Sequence, residues 1–244
     1  MTVPPAPIIS TDVNAAAECL RAGGLVAFAT ETVYGLGADA ANAAAVSALY
    51  RLKQRPSAHP VIVHLADFNA AGEWARDIPP AAKQLAQHFM PGPLTLLLPR
   101  QAHLQHLAGG DLIALRLPAH PLAQQLLRAF GGGVVAPSAN RFGAVSPTCA
   151  RHVADEFADL SDLLILDGGD CSVGIESTIV GFTGEDVFIV RPGNISAAQI
   201  RAIGITLTTA PTDISAPGTL ARHYAPRTPL LLMPPQAIEA YLHA

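Results

Sequence analysis

Charged residues are scarce in this chain: 14% of 244 positions, with aromatics at 5% and a single tryptophan. Against 50% hydrophobic residues, that scarcity excludes an intrinsically disordered protein and leaves ample material for a core. Cysteine is rarer still. Cys19, Cys149 and Cys171 are odd in number and form no C-x-x-C pair, which argues against a disulfide framework and fits a reducing compartment. Positive charge is not in excess: a net charge of -4 argues against a protein that coats nucleic acid, while leaving room for a local basic cleft. No Lys or Arg precedes Arg21, so no secretory n-region is visible. The longest uncharged run, Gln84 to Pro99, has 16 residues and three prolines, short of the roughly 18 apolar residues of a spanning helix. A soluble, cytoplasmic protein is the expectation, with no membrane partner.

Several motifs of known chemistry are also missing. There is no G-x-x-x-x-G-K-[ST] loop, so any ATP is held in another way. Ser138 is not framed by G-x-S-x-G, which speaks against a hydrolase nucleophile. His103 and His106 stand three apart without a carboxylate or cysteine partner and read as a surface pair, so no metal ligands are expected. No interleaving of aromatic and basic residues suggests a single-strand platform.

What is present is an alternation of short apolar strands with alanine-rich helices. Helices are expected over Asp12 to Arg21 (capped by Ser10 or Thr11), Asn42 to Lys53, Pro79 to Met90, His120 to Phe130 and Ala197 to Ile203. Strands are expected at Leu25 to Ala29, Val61 to Leu65, Leu94 to Leu98, Leu112 to Leu117, Val134-Val135, Leu163 to Leu166, Thr178 to Phe182, Val187 to Arg191 and Leu230 to Met233. Only a short stretch, Thr183-Gly184-Glu185 and Asp186, separates the pair before Ala197, which makes a hairpin and requires a mixed sheet. The fold class is α/β, an open mixed parallel and antiparallel sheet with flanking helices. From Gly204 to Thr228 the pattern fades into a linker.

The most informative stretch is Thr30-Glu31-Thr32-Val33-Tyr34-Gly35-Leu36-Gly37-Ala38-Asp39, followed by Lys53-Gln54-Arg55-Pro56. Hydroxyls cluster after a strand, two glycines let the chain turn, and two cations end the next helix. Gly35 to Ala40 matches G-x-G-x-x-A, but no acidic residue stands about twenty positions on to hold a ribose, which removes the dinucleotide reading. Lys and Arg at a helix end favour the helix dipole and also grip phosphate or carboxylate. Arg116 lies between Leu115 and Leu117 in an apolar strand, where an unpaired guanidinium is costly. It needs an anion, either an internal Asp or Glu or a ligand carboxylate. Pro137-Ser138-Ala139-Asn140 sets a hydroxyl and an amide at a strand end, a common ligand edge. Ser177 and Thr178 begin another strand, and Arg191 ends the next. Asp155, Glu156 and Asp159 read as a solvated helix face.

Taken in order, T-E-T-V-Y-G-L-G-A-D-A, K-Q-R-P with V-I-V-H, P-G-P-L-T, A-L-R-L-P, A-P-S-A-N, S-P-T, G-I-E-S-T-I-V and V-R-P-G resemble the YrdC-like family from roughly Ile8 to Ser196. A-P-G-T-L-A-R-H-Y-A-P resembles the linker of the family's long form. The resemblance implies an open, twisted sheet around a deep cavity. It divides the chain into a catalytic domain at 1–203, a linker at 204–228, and a tail at 229–244 that is at most the first strand and helix of a truncated C-terminal domain. The implied activity is formation of threonylcarbamoyl-AMP and pyrophosphate from L-threonine, bicarbonate and ATP with Mg²⁺. The product goes to a separate tRNA threonylcarbamoyl transferase, and direct tRNA contact is left open. Carried over residue by residue, Thr32, His64, Arg116 and Ser177 surround threonine. Lys53, Arg55, His59, Ser138, Asn140, Ser146, Arg191 and Tyr224 line the nucleotide site, with Tyr224 closing over it. Lys53 and Arg55 carry the catalytic charge, joined by Arg191 and Mg²⁺ as carbamate attacks the α-phosphate. Two positions depart from the family: His59 replaces a usual Asn, and Leu112 replaces a frequent hydroxyl residue. Three alternatives remain: a carbamoyl-transfer relative of the same fold, a non-enzymatic RNA-binding or ribosome-maturation module, and a fragment crippled by loss of the domain after the linker.

Overall fold

The computed structural model describes residues 6–211, 214, 225–226, 228 and 230–242. Among the described residues there are ten strands: β1 (Ile8–Ser10), β2 (Val26–Phe28), β3 (Gly35–Asp39), β4 (Ile62–His64), β5 (Leu94–Pro99), β6 (Leu112–Arg116), β7 (Val134–Val135), β8 (Leu164–Leu166), β9 (Thr178–Thr183) and β10 (Asp186–Arg191). They form one sheet in the order β1-β8-β2-β3-β7-β4-β6-β5-β9-β10. β1 and β2 run parallel to β8, β4 to β6 and β5 to β9, and the remaining neighbours are antiparallel. The helices are α1 (Val13–Arg21), α2 (Ala43–Lys53), α3 (Ala71–Trp74), α4 (Pro80–Phe89), α5 (Pro121–Phe130), α6 (Ala150–Glu156), α7 (Ala197–Ala202) and α8 (Pro235–Leu242).

The inner strands are largely apolar because both sheet faces are buried there. Alternate side chains serve different cores, as the period of two requires. Val26, Phe28, Val134 and Leu166 pack with α1 and α5 on one face. Ala27, Val135 and Ile165 belong to the larger core on the other, with residues of α2, α4 and α6. Helices α1 and α5 cover only part of their face. Beyond them Ile62, Leu97, Ala114 and Ile179 form a smaller apolar patch, against which Ile214 is laid. The site opens beside this patch.

Several details differ from the sequence expectation. Asp12, not Ser10 or Thr11, caps α1, its carboxylate accepting from the N–H groups of Asn14 and Ala15. β1 was not expected; it is a short edge strand half open to solvent. Gly35 and Gly37 do not form the turn expected of them. They lie within β3, and neither has positive φ. A Cβ on Gly37 would sit 2.9 Å from the Phe28 ring and 3.0 Å from Val134, so glycine lets β2 and β7 close on β3. Leu230 to Met233, expected as a strand, is unpaired, and Leu230, Leu231 and Leu232 are exposed. Asp155, Glu156 and Asp159 are more than a solvated face. Glu156 accepts from the Arg141 N–H at 2.9 Å and Asp159 pairs with the Arg141 guanidinium at 2.8 Å, holding the loop after Asn140. Among the described residues, no helix is long and apolar enough to cross a membrane.

Candidate active site

The sharp turn lies just ahead of the glycines. Thr30 Oγ1 accepts from the N–H groups of Thr32 and Val33, each at 3.2 Å, and donates to the Val33 carbonyl at 2.6 Å. A hydroxyl used in this way replaces a backbone turn bond. Thr30 has one proton and gives it to Val33. The 2.9 Å contact between the Thr30 and Thr32 hydroxyls is therefore donated by Thr32, which lines the cavity.

The next part of the site is a single row across the sheet. In register, His64 of β4 pairs with Arg116 of β6, Arg116 with Thr95 of β5, Thr95 with Ile179 of β9, and Ile179 with Arg191 of β10. Ser177 stands just before β9. Arg116 Nη2 donates to Glu31 Oε1 at 2.7 Å, and Glu31 Oε2 accepts from the Ala119 N–H at 2.9 Å. The strand arginine thus has its internal anion. It also lines the cavity, and its Nε is buried without a partner among the described residues, so it retains donors for a ligand. His64 is buried, its ring edge-on to Phe28 at 6.1 Å. Burial, reinforced by the charge of Arg116, pushes its pKa down to about 3, so the imidazole is neutral at physiological pH. Its Nδ1 has no partner among the described residues.

Ser177 and Arg191 close the row. The Ser177 carbonyl accepts from Arg191 Nε at 3.1 Å and Nη2 at 2.9 Å, and its hydroxyl accepts from Nη2 at 3.2 Å. Gly193 allows this approach: a Cβ there would sit 2.4 Å from the Thr178 nitrogen. Thr32, His64, Arg116, Ser138, Ser177, Arg191 and Arg55 all line one cavity with Glu176 and the apolar Val61 and Ile62.

Apart from Arg55, the remaining expected residues stand further out. Lys53 is fully buried and does not line the cavity. Its ammonium donates to the Ser138 carbonyl at 2.5 Å and to the Asn140 carbonyl. Burial, then the nearby Arg55, lowers its pKa to about 7, with Glu156 acting in the opposite sense. The structure therefore gives Lys53 the task of pinning the turn that carries Ser138 and Asn140. Arg55 faces the cavity, donates to the Pro60 carbonyl at 2.7 Å, and lies 5.7 Å from the Phe142 ring centre. His59 meets Phe142 edge-on at 5.2 Å. Asn140 donates to the Arg141 and Ala144 carbonyls at 2.8 and 2.9 Å, bracing the loop from within. Ser146 donates to Glu176 at 2.5 Å. Asn140 and Ser146 line a separate recess of about 370 Å³. The cavity itself holds about 50 Å³, well under the roughly 300–1,000 Å³ common for ligand pockets, so a nucleotide must extend beyond it. Tyr224 lies outside the described residues. A larger groove, about 840 Å³ around Phe68, Met90 and Leu117, contains none of these side chains.

The sequence assigns no role to Glu31, Thr95 or Glu176. The available signal was Arg116, whose need for an anion was plain while the identity of that anion was not.

Residues 18–193 match the family model described as "Telomere recombination", the Sua5/YciO/YrdC model, and residues 195–242 match "Threonylcarbamoyl-AMP synthase, C-terminal domain". The chain is 38% identical over 234 residues to the threonylcarbamoyl-AMP synthase of Pyrococcus abyssi, covering 91% of this chain and 67% of that protein. It is 42% identical over 226 residues to that of Bacillus subtilis, covering 89% and 65%. It thus spans about two thirds of the length of these relatives. Among solved structures, P. abyssi Sua5 complexed with L-threonine superposes with a TM-score of 0.83 at 38% identity, covering 92% of this chain and 69% of that one. E. coli YciO, at 22% identity and a TM-score of 0.66, shares the fold. The chain belongs to the Sua5/YciO/YrdC family.

Proposed function

We propose that this chain is a threonylcarbamoyl-AMP synthase, joining L-threonine, bicarbonate and the AMP moiety of MgATP with release of pyrophosphate. The observation that carries this is the row of His64, Arg116, Ser177 and Arg191 facing the Thr32 turn, together with the threonine-bound relative of the same fold. Arg116 offers a carboxylate its remaining donors, held in plane by Glu31. Thr32 presents lone pairs suited to an amine. Arg55 and Arg191 meet the growing negative charge where amino acid and triphosphate adjoin. The same cations favour the neutral amine of threonine over the ammonium, and the neutral amine is the nucleophile. Threonine ammonium plus bicarbonate gives carbamate, water and one proton. A carbamate oxygen then attacks the α-phosphorus and pyrophosphate leaves. The protein contributes orientation and charge compensation.

Mg²⁺ enters as part of the nucleotide substrate. Among the described residues no group of three or more His, Cys, Asp or Glu could cage a metal, which suits an ion carried chiefly by phosphates. The product, a mixed anhydride, goes to a tRNA threonylcarbamoyl transferase. Three unpaired cysteines and a tRNA-directed product fit a cytoplasmic enzyme. The test is pyrophosphate release from MgATP that requires both threonine and bicarbonate, with threonylcarbamoyl-AMP identified by mass. Turnover with carbamoyl phosphate and none with threonine overturns the reading.

A further inference from the structure

We propose that Thr95 is a positioning residue whose buried hydroxyl donates to Ser177, turning the Ser177 proton into the cavity as a donor for the substrate carboxylate. This rests on the functional reading above. Thr95 is 0% exposed and stands behind the cavity wall, not in it. Its hydroxyl lies 2.7 Å from Ser177 Oγ, and this is its one hydrogen bond to the described residues. A guanidinium has donors only, so Arg191 Nη2, at 3.2 Å, already occupies one acceptor site of Ser177.

Two hydroxyl protons then compete for one O···O line. If Ser177 donates, the Thr95 proton is left at a wholly buried position in register with the equally buried Ile179, and an unmet buried donor costs about 1–3 kcal/mol. If Thr95 donates, Ser177 accepts twice and its own proton is free for the cavity it lines. The second arrangement leaves the unmatched proton at Ser177, on the cavity, where a ligand can take it. It gives Ser177 the polarity opposite to Thr32, which donates back to Thr30 and offers lone pairs. A zwitterion placed between them has its carboxylate towards Ser177 and Arg116 and its amine towards Thr32.

The experiment measures threonine affinity by calorimetry, and KM for threonine and for ATP, in wild type, Thr95→Val, Thr95→Ser, Ser177→Ala and Thr95→Val/Ser177→Ala. Thr95→Val should weaken threonine binding about three- to tenfold, the worth of one neutral hydrogen bond, with KM for ATP within about twofold. Thr95→Ser should restore wild-type affinity. Once Ser177 is Ala, Thr95→Val should add nothing, because the pair acts as a unit. Threoninol, which lacks the carboxylate, should bind Thr95→Val as it binds wild type. If Thr95→Val does not fold, Thr95→Cys, a weak donor of similar size, takes its place with an intermediate loss expected. Unchanged threonine affinity in Thr95→Val, an equal loss in Thr95→Ser, or a loss that persists in the Ser177→Ala background overturns this inference alone. Wild type that binds no threonine overturns the functional reading and this inference with it.

Discussion

On the sheet side of the cavity, Arg116, Ser177 and Arg191 stand at strand ends; Arg116 is tied to the Glu31 side chain, Ser177 to that of Thr95, and Arg191 to both the hydroxyl and the carbonyl of Ser177. On the loop side, Lys53 and Asn140 reach backbone carbonyls, at Ser138 and Asn140 and at Arg141 and Ala144. The first arrangement fixes both where a group sits and which way its protons point. The second fixes only the path of a loop. The sheet side is therefore constrained in hydrogen-bond polarity as well as position, while the loop side depends on a tether that one buried amine supplies.

The largest expected effect would break the sheet side outright. Arg116→Met leaves Glu31 buried beside the Ala119 N–H with no counter-charge. Removing one partner of a buried pair typically costs about 3–5 kcal/mol, and urea unfolding should register a loss of that size together with loss of threonine binding. Arg116→Met/Glu31→Gln removes both charges and keeps an amide oxygen for Ala119. It should recover most of the stability and none of the binding. A double variant as unstable as the single one would show that the pair is not the source.

Next in size is the loop-side tether. Lys53→Met should raise KM for ATP by about tenfold or more, in line with roughly 1.5–3 kcal/mol for hydrogen bonds from a charged group, while threonine affinity measured alone stays within about twofold. Equal damage to both substrates would erase the distinction between the halves.

How much of this was legible in the sequence depended on whether a residue was improbable by itself. Arg116 inside an apolar strand and Lys53 with Arg55 at a helix end announce themselves, because charge in such places needs a reason. Thr95 and Glu31 do not. A threonine in a strand is ordinary, and only the register that sets β5 beside β6 and β9 reveals what its hydroxyl meets. The glycines of β3 were misread as a turn for a related cause. Local chemistry permits either use, and the deciding contact, Phe28 against Gly37, is made across strands. Nor could the sequence show that the Lys53 ammonium points to carbonyls behind the cavity, since helix position gives a residue's place and not its partner.

The halves should also separate by pH, with smaller amplitude. His64 has a folded pKa near 3 against 6.5 unfolded, so its contribution is complete above pH 6.5 and is lost as pH falls towards 3. Lys53 has a folded pKa near 7 against 10.5 unfolded, so its contribution is complete above 10.5 and is lost as pH falls towards 7. Urea midpoints from pH 3 to 11 should lose their acid-side slope in His64→Gln and their alkaline slope in Lys53→Met. Interchanged slopes would contradict the assignment.

The smallest effect is expected where the chain departs from the family pattern. His59 touches Phe142 edge-on, and such ring pairs contribute about 0.5–1.5 kcal/mol. Its segment is held by backbone groups that any residue would supply: the Tyr50 hydroxyl donates to the His59 carbonyl and Arg55 to that of Pro60. His59→Asn should therefore shift KM for ATP by no more than about threefold and leave threonine affinity unchanged. A larger loss would mean that this ring reads the nucleotide itself, and the loop side would then recognise its ligand by side chain, as the sheet side does.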